Sequence, residues 1–417
     1  MADQPVRDGR PVVDFDHHSQ HYADHAHEIY AGLRARCPVA WTGAHDGYWI
    51  LSRYEEMSVV SRDDKLYSSH KDVPDGPRKG ITLPSTGPIR TGIIETDPPA
   101  FTRIRRAVNS WFSPHAVEKL RPEILEYTTW AIDRFIADGR GDLVVDLASP
   151  VPALLTLRML GIPLSHWERY ADAMHRGVYV PPGSPERDEV NALYMWVLQQ
   201  ITAAAHERRE RPGEDFISYL AQLEFEGEKL PIEDVIGNAM LLLAGGVDTT
   251  TALMGHTFVH LHRDRAARAW LMQDPARMTM ACEEYLRVYT PVQGLARTVT
   301  QPCTLAGQQL DTHDRLWISW QAANLDPAVF EDPETIKLDR FPNHHAAFGL
   351  GRHRCLGSTI ARFVWNTVVS EVLRRMPDYE VDLPAAVRYT SIGIVNGWAT
   401  LPARFTPGRA LGTSLKL

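Results

Sequence analysis

The stretch Phe348-Gly349-Leu350-Gly351-Arg352-His353-Arg354-Cys355-Leu356-Gly357 carries the reading of the whole 417-residue chain. Its glycines permit a tight, partly left-handed path in which backbone amides point at a cysteine sulfur. The apolar periodicity of 355–376 predicts a long helix beginning at that cysteine. A thiolate at a helix N-terminus is stabilised by the dipole and by amides with no intrahelical partner. Cys355 is therefore a candidate metal ligand, although a lone cysteine in a glycine loop is more often structural.

Upstream, an apolar segment is predicted to run as one helix from about Pro231 to His262, with Glu233 and Asp234 in its first turn. It is interrupted by Ala244-Gly245-Gly246-Val247-Asp248-Thr249-Thr250. Two glycines inside a helix cost about 1 kcal/mol each relative to alanine, so they need a packing or a functional reason. A close helix crossing, with a threonine bonding back to the preceding turn, is one reading. Glu284 and Arg287 stand three apart on a further predicted helix, 276–290, and share one face. Such a pair on its own is commonly just a solvated ion pair.

Helical patterns also fall at 21–36, 98–112, 114–139, 150–161 and 189–209. Strand-like pieces are Val39 to Thr42, Tyr48 to Leu51, Thr298 to Ala306, Arg315 to Ser319 and Ala403 to Phe405. The balance predicts a mainly α (α+β) fold, a small sheet beside a large helical body, with residues 1–417 as a single domain. Lys71 to Pro98, Tyr179 to Arg187 and Val381 to Thr400 read as loops. Hydrophobic residues make up 44% and charged ones 23%, ordinary globular usage that excludes disordered or fibrous classes. A net charge of −8 disfavours nucleic acid as a partner, because affinity there comes from neutralised phosphates. The polar N-terminus shows no secretory signal, and the longest apolar run, Ala239 to Val247, falls short of the ~20 residues a membrane span needs. With Cys37, Cys282, Cys303 and Cys355 scattered, neither a disulfide framework nor a structural zinc site is expected, and a cytoplasmic location without a membrane anchor is.

The pattern F-G-x-G-x-H-x-C-x-G at 348–357 resembles, at every fixed position, the haem-binding signature of the cytochrome P-450 family. Ala244 to Thr249 matches the family's A/G-G-x-D/E-T, Glu284 and Arg287 its E-x-x-R, and Asp97 to Arg106 its D-P-P-x-H-T-R-x-R-R, with Phe101 where histidine is usual. The motifs keep the family's order, and the likeness extends from about Ala40 to Phe405. The resemblance implies haem b as cofactor and O2 as co-substrate, with Cys355 on the iron, Phe348 and Gly349 beside the sulfur, and His353, Arg297 and Arg105 on the haem propionates. It implies that Gly245 and Gly246 leave room for dioxygen, that Asp248 and Thr249 are the acid–alcohol pair passing protons, and that Glu284, Arg287 and Arg340 form a buried brace. Phe101 would then cost the haem one anchor.

The implied activity is oxygen insertion into a small to medium hydrophobic organic substrate, by hydroxylation, epoxidation or dealkylation. Its pocket would include Ile93, Ile94, Leu242, Gly245, Val292, Leu295, Ile394 and Val395 within or beside the 74–94, 174–191 and 392–395 segments. Electrons would come from a separate iron–sulfur ferredoxin with an NAD(P)H-dependent reductase, docking at Arg103, Arg106, Arg352 and Arg354. A non-catalytic haem sensor or carrier, or a peroxide-driven enzyme of the same fold, is the alternative; the intact Asp248-Thr249 pair speaks against both. A hydrolase lacks its G-x-S-x-G elbow.

Overall fold

The computed structural model describes residues 10–71, 79–85 and 90–417, together with the backbone of 6–7. Helices dominate, and the longer strands gather on one side. The five-stranded sheet runs in the order Val39–Thr42, Tyr48–Leu51, Arg315–Ser319, Gly294–Val299, Tyr67–Ser68. Arg315–Ser319 lies parallel to Tyr48–Leu51 and antiparallel to Gly294–Val299, pairing Trp317 with Ala296 and Leu316 with Arg297. Tyr48–Leu51 and Arg315–Ser319 are buried along their whole length, which explains why their apolar residues run together rather than alternate. One apolar cluster fills the helical body and a smaller one lies under the sheet.

The segment expected as one helix over 231–262 forms two, Ile232–Gly246 and Asp248–Arg263, parted at Val247. Glycines at 245 and 246 make that turn a poor one to propagate. Hydroxyls also compete for its carbonyls: Thr249 Oγ1 donates to Gly245 O, and Thr251 Oγ1 to Val247 O and Ala148 O, all at 2.9 Å. Such back-bonding bends a helix. The 114–139 segment likewise divides into Pro114–Lys119, Arg121–Asp133 and a short turn at Ile136–Asp138, because Pro122 lacks the N–H that a continuous ladder requires. The strand expected over 298–306 is two, Gly294–Val299 and Cys303–Leu305, separated by Pro302. The 381–400 segment, expected as loop, contributes the short strands Val387–Arg388 and Trp398–Thr400.

One helical stretch, Leu143–Leu160, is long and apolar enough by composition to cross a membrane, but 83% of it is buried inside the structure. It is a core element, and it explains one of the two helix glycines. A Cβ on Gly246 would lie 2.6 Å from Thr156 Oγ1 in the Pro150–Leu160 helix, so this glycine is a crossing point rather than part of an open groove. A Cβ on Gly245 would meet nothing within 4 Å. Gly246→Ala should therefore cost roughly 1–3 kcal/mol through overpacking, read from urea unfolding. Adding Thr156→Ala should recover most of the loss, whereas Gly245→Ala should be neutral or stabilising by up to about 1 kcal/mol.

Candidate active site

The cysteine loop is shaped by positions that only glycine fills comfortably. Gly349 and Gly351 have φ of +73° and +70°, and a Cβ on Gly351 would sit 2.0 Å from Ser61 O, so the loop lies flush against the end of the Tyr54–Arg62 helix. The Cys355 amide donates to Phe348 O at 2.7 Å, and the Ser358–Arg375 helix follows. Protein surrounds Cys355, yet its side chain is exposed and so opens onto an internal space. Burial pushes the thiol's pKa up; the Gly357 amide and the charges of Arg105, Arg354 and Arg362 oppose that. The Phe348 ring lies under the Arg362 guanidinium, 4.5 Å from its centroid.

Glu284, Arg287 and Arg340 come together as one buried network. Arg287 donates to both Glu284 oxygens at 2.8 Å, and Arg340 Nε to both at 3.1 Å. The remaining donors of Arg287 reach the carbonyls of Asn324, Pro333 and Thr335. Burial raises the Glu284 carboxyl, but Arg287, the Lys337 amide and Arg340 outweigh it and hold the pKa below its ordinary 4.5. A second brace was not foreseen from the sequence: Glu283 accepts from Arg362 at 2.5 and 2.6 Å and pairs with His345, tying the Arg277–Tyr289 helix to the helix that follows the cysteine.

Three groups collect beside the loop. Arg297 is buried, donates to Ala296 O at 2.8 Å and has no other hydrogen bond among the described residues; burial brings its pKa down to about 10. His353 is kept well below its ordinary 6.5 by burial and by Arg297 and Arg105, and its Nε2 meets Ser69 Oγ at 3.2 Å. Phe101, buried, packs against His353 with ring centroids 4.2 Å apart and the planes tilted by 39°, so it buttresses that ring. Arg105 donates to Arg354 O at 2.7 Å and lines a surface cleft with Arg106 and Arg352. The four-cation patch is smaller than expected, because Arg352 pairs with Asp64 at 3.5 Å and Arg103 with Glu226 at 3.9 Å.

On the bent helix, Ala244 and Gly245 are exposed even though the element crosses the core. Asp248 is fully buried and does not reach solvent itself. It pairs with His175 Nδ1 and accepts from Tyr389 OH at 2.6 Å, while its Oδ2 is buried without a partner among the described residues. His175 sits on the helix Trp167–Tyr179, which the sequence reading left unassigned, and its Nε2 meets Ser149 Oγ at 2.6 Å. The spacing of Trp167, Tyr170, Ala171 and Met174 carries that helix, but no one-dimensional signal links 175 with 248 or 389.

Of the apolar residues expected around a substrate, Val292 pairs directly with Val395, and Gln293 N donates to Ile394 O at 3.1 Å. Ile93 N donates to Asn238 Oδ1, which places the 93–94 segment one turn from Leu242. Ile93 and Val395 are packed in the two apolar clusters, whereas Ile94, Leu242, Val292, Leu295 and Ile394 remain partly exposed. Residues 74–78 and 86–89 of the expected pocket loop lie outside the described residues.

A family model described as Cytochrome P450 matches residues 186–386. Cytochrome P450 130 of Mycobacterium tuberculosis is 30% identical over 342 residues, 80% of this chain and 83% of that relative. The steroid C26-monooxygenase of Mycolicibacterium smegmatis is 30% identical over 407 residues, 95% of this chain and 97% of its own length. Among solved structures, a Mycobacterium marinum cytochrome P450 in complex with pseudoionone superposes with a TM-score of 0.86 at 27% identity, covering 96% of this chain and all of that one.

The Glu283 brace has a pH signature. Burial raises this carboxyl, but Arg362 and His345 bring it down to about 2, below its ordinary 4.5. A carboxylate depressed on folding stabilises above its unfolded pKa, and the contribution is lost as pH falls through the folded value. Acid unfolding should therefore show a stability loss between pH about 4.5 and about 2. Glu283→Gln should remove that component when unfolding is followed by circular dichroism.

Proposed function

Because the chain belongs to the cytochrome P450 family, we propose that Cys355 is the proximal thiolate of its haem and that Asp248 and Thr249 carry protons on the opposite face. The chain is a haem-thiolate monooxygenase with haem b as cofactor and O2 as co-substrate. The observation that carries the residue assignment is an exposed cysteine inside the fold, at a helix start, together with an exposed Ala244-Gly245 step on a core helix. The donor set suits an iron porphyrin: one thiol for the metal, and the buried Arg297 with Arg105 and His353 for two carboxylates. Haem b, when bound, supplies the iron at which dioxygen is activated, and a thiolate ligand favours O–O cleavage.

The protein's own residues do the rest. Gly245 keeps the helix face bare, Thr249 offers a hydroxyl at Oγ1 beside it, and Asp248 holds a proton-transfer position one residue earlier. Ile94, Leu242, Val292, Leu295 and Ile394 line a site for a hydrophobic organic molecule of small to medium size, with Ile93 and Val395 packing behind them. That a relative is named a steroid monooxygenase agrees with an apolar substrate of this kind. We assign the electron supply to a separate ferredoxin with an NAD(P)H-dependent reductase, docking where Arg106 and Arg354 are exposed beside the cysteine loop. The charge balance and the four free cysteines suit a cytoplasmic enzyme working as one 417-residue unit.

The ferrous carbonyl complex of the wild type should absorb near about 450 nm, as thiolate-ligated haem does. Cys355→Ser should lose that band, and a Cys355→Ser protein that keeps it would overturn the assignment. Thr249→Ala should retain the band and release more of its reducing equivalents as hydrogen peroxide, measured against NADPH consumed. Unchanged peroxide release would remove Thr249 from proton transfer.

A further inference from the structure

Asp248 is fully buried, so a proton must reach it through another group. Two titratable side chains touch its carboxylate among the described residues, and His175, paired through Nδ1 and 15% exposed, is more accessible than Tyr389 at 3%. The far nitrogen, Nε2, meets Ser149 Oγ at 2.6 Å. His175 and Ser149 both line a surface cleft of about 320 Å³, along with Tyr179 and Tyr389. Tyr389 donates to Asp248 Oδ1 at 2.6 Å; burial and the nearby carboxylate push its phenol well above 10, so it stays protonated and acts as a fixed donor.

We infer that His175 is the proton entry to the active site, relaying from the Ser149 cleft to Asp248. It touches neither substrate nor haem, and its role rests on the reading of Asp248 and Thr249 as the proton-passing pair. The overall reaction, R–H + O2 + 2e⁻ + 2H⁺ → R–OH + H2O, draws two protons from solvent per turnover. In each relay step Ser149 Oγ gives a proton to Nε2 and recovers one from cleft solvent. The Nδ1–H bond then breaks and an O–H bond forms on Asp248 Oδ1, with no electrons transferred. Ring rotation about Cβ–Cγ then brings Nδ1 to cleft solvent, where it gains a proton as Nε2 gives one back through Ser149 Oγ, and this exchange restores the starting tautomer. Rotation of the Asp248 carboxyl about Cβ–Cγ carries the protonated oxygen to the unpartnered Oδ2 position, from which the proton is passed on.

An imidazole suits this task because its ordinary pKa lies close to physiological pH. Mostly acidic groups surround it. Asp248 touches it, Asp146 and Glu168 share the cleft wall with Arg134, and Asp172 stands one turn back on its own helix. Arg176, the nearest cation in sequence, is paired with Glu189 and Asp172.

The test uses holoenzyme labelled with ¹⁵N-histidine, the His175 signal being the one absent from His175→Gln. Its Nδ1 resonance should move in Asp248→Asn, because the partner of that nitrogen changes from a carboxylate to an amide. NADPH oxidation driven by dioxygen, with a ferredoxin and its reductase, should fall at least about tenfold in His175→Phe, within the range of a lost acid–base group. Guaiacol oxidation driven by added hydrogen peroxide, which brings its own two protons, should stay within about twofold. An unmoved His175 Nδ1 resonance, unchanged NADPH oxidation, or an equal fall in both reactions would overturn the relay, the last marking a structural role. The ferrous carbonyl band near about 450 nm is the separate control: its absence from wild type would sink the haem-site reading itself, and its presence in every variant assigns any failure to His175.

Discussion

A cysteine sulfur surrounded by protein yet left exposed is the constraint on which the rest depends. A loop carrying such a sulfur cannot bury itself by packing its own side chains, so it is held from outside. Gly351 presses its backbone against Ser61 O, at a distance that no side chain allows. From the other side, Asn324 links loop and brace: its Oδ1 accepts from Ala346 N at 2.6 Å and its carbonyl from Arg287 at 2.9 Å. The Glu284 carboxylate is therefore linked through Arg287 and Asn324 to Ala346, just ahead of the cysteine loop. Removing one member of a buried ion network leaves an unpaired charge worth roughly 3–5 kcal/mol, so the brace is an all-or-none device.

The second constraint acts on the helix across from the cysteine. Two adjacent glycines look equivalent in sequence but do different work. Gly246 lets the Pro150–Leu160 helix approach, while Gly245 has open space where its side chain would be. Just past the bend at Val247, Asp248 is buried in a polar nest of His175 and Tyr389.

Much of this was legible in one dimension, for a physical reason. Cys355, Glu284 with Arg287, and the Asp248–Thr249 step lie within short windows whose spacing is set by a loop or a helical turn. The mainly α architecture and the buried strands 48–51 and 315–319 were also readable, because their apolar periods are strong. What escaped depends on distance in sequence. Pro122 and the threonine hydroxyls divided helices that apolar periodicity joined, and Glu283–Arg362 spans 79 positions. The His175–Asp248–Tyr389 cluster joins three elements far apart in the chain, and Phe101 read as a missing anchor until its ring was seen against His353.

The central claim is that this fold presents the Cys355 sulfur to iron. X-ray absorption at the iron edge of the purified holoenzyme tests it directly, since sulfur scatters more strongly and lies farther from the metal than porphyrin nitrogen. One sulfur neighbour in the wild type, lost in a cysteine-to-serine variant at 355, is the expected result. An iron shell containing only nitrogen and oxygen in freshly prepared wild type would contradict the account.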